Sequence, residues 1–140
     1  SDRTGAPGKL TCTDCHGGTE NTGGGYYRLT GLPSTYKANS TYSLTLQIGQ
    51  VGQARWGFQI KASHGLIGVT DVTHTTLANT TFLNHNSAGT YAGQTNAAQW
   101  SFNWTAPDTT FSNVTFYTAG MAPNNDRGSG VNCSSLPKPV

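Results

Sequence analysis

Tyr42-Ser43-Leu44-Thr45-Leu46-Gln47-Ile48 alternates apolar side chains with hydroxyl or amide side chains without a break. Successive side chains of an extended strand point to opposite faces, so a period of two gathers Tyr42, Leu44, Leu46 and Ile48 on one buried face. Ser43, Thr45 and Gln47 are left for water. A helix cannot use this pattern, because its 3.6-residue period would scatter the same four residues around the cylinder. The alternation recurs outward from this stretch. Over 55–62, Trp56, Phe58 and Ile60 oppose Gly57, Gln59 and Lys61. Over 99–105, Trp100, Phe102 and Trp104 share one face, and the run stops at the turn residues Ala106-Pro107-Asp108. Shorter runs read as strands at 26–32, 66–72, 80–83 and 114–117. No stretch carries helical periodicity with a cap. About seven short antiparallel strands separated by turn residues predict an all-β, immunoglobulin-like sandwich, its aromatic stripes packed between two sheets.

The chain has 140 residues and a net charge of +2, and 10% of its residues are charged, against about 25% in ordinary globular domains. One domain is expected, with an N-terminal arm over 1–25, the sandwich over 26–122 and a polar tail over 123–140. There is no basic field for nucleic acid and no apolar run of about 20 residues to cross a membrane. A hydroxyl- and amide-rich, weakly charged surface fits work outside the cell, and the absence of a starting Met fits a processed, secreted product. Five Asn-x-Ser/Thr sequons begin at Asn39, Asn79, Asn103, Asn113 and Asn132, the pattern of a secreted glycoprotein.

The arm holds the chemistry. Cys12-Thr13-Asp14-Cys15-His16 is a C-x-x-C-H sequence. Two thiols at this spacing add across the two vinyl groups of one porphyrin, and the next residue presents an imidazole to the iron; this is the attachment signature of c-type haem. Three other uses of the cysteines compete with it. A structural zinc site needs about four ligands, and no second C-x-x-C or H-x₃₋₅-H occurs. A thioredoxin-like pair normally opens a helix, whereas this one lies among Gly and Thr residues. A disulfide of Cys133 with Cys12 or Cys15 would contradict haem attachment. If Cys12 and Cys15 carry one covalent haem c, Cys133 is left as an inert thiol or an intermolecular link.

A haem iron held by His16 has a sixth position. The candidates are His64, His74, His85 and Met121. His85 and His64 each follow a strand, where a loop at the rim of a sandwich can hold an imidazole. His74 lies in a Thr-rich stretch that reads as solvent-facing. The residue types and their spacing do not separate the four.

Six stretches in order carry a family resemblance: Thr4-Gly5-Ala6-Pro7-Gly8 with Cys12-Thr13-Asp14-Cys15-His16-Gly17-Gly18; Arg55-Trp56-Gly57-Phe58-Gln59; Asn84-His85-Asn86-Ser87-Ala88-Gly89-Thr90; Trp100-Ser101-Phe102-Asn103-Trp104-Thr105-Ala106-Pro107; and Val114-Thr115-Phe116-Tyr117-Thr118-Ala119-Gly120. The pattern resembles a secreted bacterial domain related to the Reeler domain, the choice-of-anchor V type. The resemblance implies an extracytoplasmic β-sandwich with C-x-x-C-H near its start and a histidine where His85 stands, which singles out His85 as the distal ligand. It departs at Met121-Ala122-Pro123-Asn124-Asn125, where the family continues differently and often leads to an anchor.

The expectation is therefore a monohaem c-type cytochrome that transfers electrons and is not an enzyme. Cys12 and Cys15 form thioethers, and His16 and His85 bind iron. Its partner is a redox protein or further copies of itself in a homopolymer at the cell surface. The low charge, Cys133 and a Gly-rich arm able to add to a sheet edge permit such assembly. A structural or adhesive surface domain without redox chemistry, and a haem sensor with an open distal position, are the two competing classes.

Overall fold

A computed structural model of the chain describes residues 26–33, 35–78, 82–108, 114–121 and 133–139, with the backbone alone at Met121 and over Cys133–Pro139. Nine strands follow in order among them: β1 (Tyr26–Thr30), β2 (Thr41–Gln50), β3 (Gly57–Ala62), β4 (Leu66–Val69), β5 (Thr75–Ala78), β6 (Phe82–His85), β7 (Asn96–Thr105), β8 (Thr115–Met121) and β9 (Cys133–Pro139). They form two antiparallel sheets, one ordered β1-β2-β7-β4 and the other β5-β6-β3-β8-β9. The all-β sandwich expected from the alternation is present.

The quoted stretch lies at its centre. Leu44, Leu46 and Ile48 of β2 stand beside Phe102, Trp100 and Ala98 of β7 in register and are buried with them. Trp56, Phe58 and Ile60 close the core from the second sheet, with Leu83 and Phe116. Aromatic edges interlock the layers: the Phe58 and Trp100 ring centres are 4.6 Å apart, and Trp104 meets Phe116 edge-on at 5.2 Å. The opposite face of the first sheet is hydroxyl-rich, as the alternation requires. Thr41 bonds Thr105 at 2.9 Å, and Thr45 bonds Ser101 at 3.3 Å across β2 and β7.

Two strands depart from the sequence reading. β5, Thr75–Ala78, is not among the strands read from the sequence, because four residues with only Leu77 and Ala78 apolar carry no legible period. β9 lies in the region read as a polar tail. Its Pro137 and Pro139 argue against a central strand, but β9 is an edge strand, where a missing N–H costs no ladder bond.

The short β2–β3 and β3–β4 connections give the sandwich two distinct ends. Tyr26 pairs with Gly49 at the end where the chain enters, and a Cβ at Gly120 would meet Ile48, which brings the start of β3 and the end of β8 to that same end. Thr30, Thr41, Thr105 and the β3–β4 turn lie at the far end.

Each buried indole satisfies its N–H on a loop carbonyl. Trp56 Nε1–H donates to Gln94 O at 2.7 Å, Trp100 to Gly89 O at 2.9 Å and Trp104 to His64 O at 3.0 Å. Trp100→Phe, which keeps much of the ring but orphans a carbonyl, is expected to lower the unfolding free energy by about 1–3 kcal/mol in urea titrations. Thr45→Ala, on the exposed side of β2, is expected to change it by under about 0.5 kcal/mol. Equal losses for the two would contradict this assignment of core and surface.

Candidate functional site

Cys12, Cys15 and His16 lie outside the described residues. The remaining candidates fall at opposite ends of the sandwich. His85, His74, Met121 and Cys133 stand at the entry end, and His64 stands at the far end. Ten residue steps separate His16 from Tyr26, a reach of at most about 36 Å. A segment entering at Tyr26 meets the His85 end first and must run the length of the sandwich to meet His64.

His85 closes β6. Backbone pairing of β6 with β3 holds at Gln59–Asn84 and Ile60–Leu83 and then stops. The imidazole takes over where the ladder ends. Its Nδ1 accepts from the Phe58 N–H at 3.0 Å and lies 3.2 Å from the Phe58 carbonyl. One backbone residue thus serves either tautomer: the bare Nδ1 accepts, and the protonated Nδ1 donates to the carbonyl. Metal-binding imidazoles commonly have one nitrogen fixed by a backbone carbonyl in this way, which directs the other nitrogen at the metal.

Gly57 makes room for this ring. A Cβ there would lie 2.8 Å from His85 Cε1 and 3.2 Å from both ring nitrogens. The imidazole therefore fills the space a side chain at 57 would occupy. Met121 is the Cα partner of Gly57 on β8, and Cys133 is the Cα partner of Met121 on β9. The order His85, Gly57, Met121, Cys133 crosses the sheet at its entry end. The role of Gly57 was not read from the sequence. Its place between Trp56 and Phe58, on the outward side of an aromatic strand, was the available signal.

The segment after His85 is braced at several points. The Asn86 N–H donates to His74 O at 3.0 Å, the Gly89 N–H to Asn86 Oδ1 at 3.0 Å, and the Trp56 N–H to Thr90 O at 2.8 Å. A side chain at Gly89 would collide with the His74 carbonyl. Tyr91 closes the short 3₁₀ turn Ala88–Thr90 at φ 45°, a conformation that costs about 1 kcal/mol or more in a residue with a Cβ. Its ring is held by a stack on His74 with centres 4.8 Å apart and by Trp100 at 5.7 Å. Burial, then the Asp71 carboxylate, push the Tyr91 phenol above its ordinary pKa, which keeps it neutral.

His74 is not the solvent-facing residue its sequence context suggests. It is half-buried; its Nδ1 lies 2.7 Å from Asp71 Oδ2, and its ring is covered by Tyr91. Asp71 also accepts the Thr73 and His74 N–H groups, so this histidine is built into a turn. His64 sits in the β3–β4 turn with Nδ1 3.0 Å from Ser63 Oγ, and its carbonyl takes the Trp104 N–H. Among the described residues, no three His, Cys, Asp or Glu side chains come together as a metal-binding group. A haem iron needs less than that from the fold, since the porphyrin supplies four nitrogens and the protein supplies only axial ligands. A single anchored imidazole such as His85 suits that demand.

No protein-family model and no curated protein matches the chain. Solved structures do. A crystal structure of the human F-spondin reeler domain matches with TM-score 0.62 at 19% identity, over 88% of this chain and 93% of that one. A second structure, the Reelin-N domain of F-spondin, matches with TM-score 0.62 at 20% identity, over 88% and 90%. The full-length major pilin SpaD from Corynebacterium diphtheriae matches with TM-score 0.53 at 8% identity, over 83% of this chain and 34% of the pilin. At these identities the likeness establishes architecture, and the architecture is a Reeler-like β-sandwich.

Proposed function

We propose that this chain is an extracytoplasmic monohaem c-type cytochrome domain that transfers electrons. The observation that carries the reading joins sequence to structure. A C-x-x-C-H stands ten residue steps before Tyr26, and an imidazole fixed through Nδ1 stands at the end of the sandwich where Tyr26 enters. Cys12 and Cys15 would hold the haem through thioethers, and His16 and His85 would hold its iron. When bound, the haem supplies reversible one-electron exchange at iron.

The protein's own contribution is ligand position and exclusion of water. The Phe58 backbone holds the His85 ring through Nδ1 in either tautomer. Gly57 gives the ring its place, and the braced turn through Tyr91 keeps the end of β6 from moving when charge changes. Two imidazoles favour a lower potential than a His/Met pair. With both axial positions taken, this reading includes no catalysis on small molecules. The electron partner is a redox protein or another copy of the chain. No helix among the described residues is long and apolar enough to cross a membrane.

Covalent attachment is tested by acid–acetone extraction followed by mass spectrometry of the polypeptide. The mass is expected to exceed that of the bare chain by one haem; a bare mass would leave the structural or adhesive class in its place. The distal ligand is tested by low-temperature electron paramagnetic resonance of the ferric protein. His85→Ala is expected to convert the low-spin signal to high-spin and to open the site to carbon monoxide in the reduced state. His64→Ala, at the far end, is expected to leave the signal unchanged. A high-spin shift produced by Met121→Ala and not by His85→Ala would assign the sixth position to the thioether.

A further inference from the structure

Every asparagine side chain among the described residues is hydrogen-bonded or buried, save one. Asn96 Oδ1 accepts the Gly52 N–H at 3.2 Å. Asn86 accepts from the Gly89 N–H and donates to Val72 O. Asn103 Oδ1 accepts from Ser43 Oγ at 3.4 Å, and Asn84 Oδ1 is buried. Asn39 is exposed, and its carboxamide enters no hydrogen bond with the described residues. Its backbone N–H is held by Pro107 O at 3.2 Å.

The turn that carries Asn39 is built on Trp104. Tyr36 meets the Trp104 ring edge-on at 5.6 Å and Tyr42 stacks on it at 5.8 Å, so the chain between the two tyrosines loops outward. The Tyr42 hydroxyl accepts the Lys37 N–H at 2.9 Å, the Ser40 N–H closes the turn on Lys37 O at 3.2 Å, and the Ala106 N–H donates to Ser40 O at 2.8 Å. Lys37, Ala38 and Asn39 are exposed at the tip. Asn39 has φ 62°, a left-handed conformation that glycine and asparagine adopt most readily. This accounts for the residue type at 39 and leaves its carboxamide without a task. The threonine two positions on completes Asn39-Ser40-Thr41, the acceptor sequence for N-linked sugar.

We propose that Asn39 is the attachment point of an N-linked glycan. The co-reactant is an oligosaccharide activated on a lipid phosphate or diphosphate. The bond from the sugar's anomeric carbon to the phosphate oxygen breaks, and the phosphate leaves with the electron pair. A bond forms from that carbon to Asn39 Nδ2, which gives up one proton, and nothing is oxidised or reduced. Asn103-Trp104-Thr105 shows what the site requires by failing to meet it. Asn103 lies within β7, in register with Ser43 of β2 and Gly68 of β4, and Trp104 is buried. A transferase can approach 39–41 on the folded protein. To bend 103–105 into its active site it would have to open two ladders and withdraw an indole from the core. Asn39 stands at the far end, beside Pro107 and the start of β2, opposite His85. A sugar there leaves the entry end uncovered for a partner. The inference concerns modification and stands without the haem reading.

The test is glycopeptide mapping of the protein purified from the organism that makes it. Trypsin cleaves after Lys37 and Arg55 and isolates residues 38–55, with Asn39 as the one asparagine. Electron-transfer fragmentation keeps sugars on their side chains, and it is expected to place a glycan mass on Asn39. Asn39→Gly keeps the positive φ and removes Nδ2; made in the same organism, it is expected to give peptide 38–55 at its bare mass. Should that variant fail to fold, Thr41→Ala removes the hydroxyl of the acceptor sequence and is expected to give the same loss. A bare 38–55 in the unaltered protein would overturn the inference, as would a glycan on Asn103 with Asn39 unmodified. Sugar that persists on 38–55 in Thr41→Ala would overturn it too, because its attachment is then to a hydroxyl. A bare 38–55 in a haem-bearing protein defeats the glycan alone, and a glycosylated 38–55 in a protein without haem defeats the haem reading alone.

Discussion

A buried indole must find an acceptor for its N–H without leaving the core, and this chain meets that demand three times by tying a loop to the sandwich. Trp100 is the consequential case. Its ring lies against Phe58 in the centre, and its N–H holds Gly89, four residues beyond His85. Trp56, buried at the entry end, holds Gln94 through its side chain and Thr90 through its backbone. The connection from β6 to β7 is therefore fastened to the core at Gly89, Thr90 and Gln94 by Trp100 of β7 and by Trp56, which immediately precedes β3. At the far end Trp104 holds His64. An unmet acceptor in such a place costs about 1–3 kcal/mol, enough to make the loop positions as determinate as the strands.

That fastening is what turns His85 from a loop histidine into an oriented one. Its ring is fixed by Phe58 on one side and by the empty position of Gly57 on the other, and the chain beyond it cannot drift. His74 makes the opposite use of the same residue type. It is spent on Asp71 and Tyr91, where it stabilises the turn that leads from β4 into β5. The two histidines differ in sequence context only by their neighbours, and what separates them is the set of groups that reaches each ring.

The sandwich was legible because long strands must alternate. Leu44, Leu46 and Ile48, and Trp100, Phe102 and Trp104, show their shared face in the order of the letters. β5 and β9 were not legible. Thr75 is buried through its bond to the Asp71 carbonyl rather than through an apolar side chain, so its burial leaves no hydrophobic mark. β9 contains two prolines, which read as tail until a free sheet edge is supplied by β8. The haem reading of the C-x-x-C-H rests on the chemistry of its spacing alone, and the motif lies outside the described residues. The site around His85 was legible only as a residue; the Phe58 backbone, the glycine under the ring and the strained Tyr91 became visible once the strands were paired.

The central claim is that the imidazoles of His16 and His85 share one iron. Near-infrared magnetic circular dichroism of the ferric protein tests it most directly, because the porphyrin-to-iron charge-transfer band lies at different energies for two imidazoles and for an imidazole with a thioether. A single band in the bis-imidazole region is predicted. A band in the imidazole–thioether region would assign the sixth position to Met121, and a ferric protein with no low-spin band would contradict axial ligation by His85 altogether.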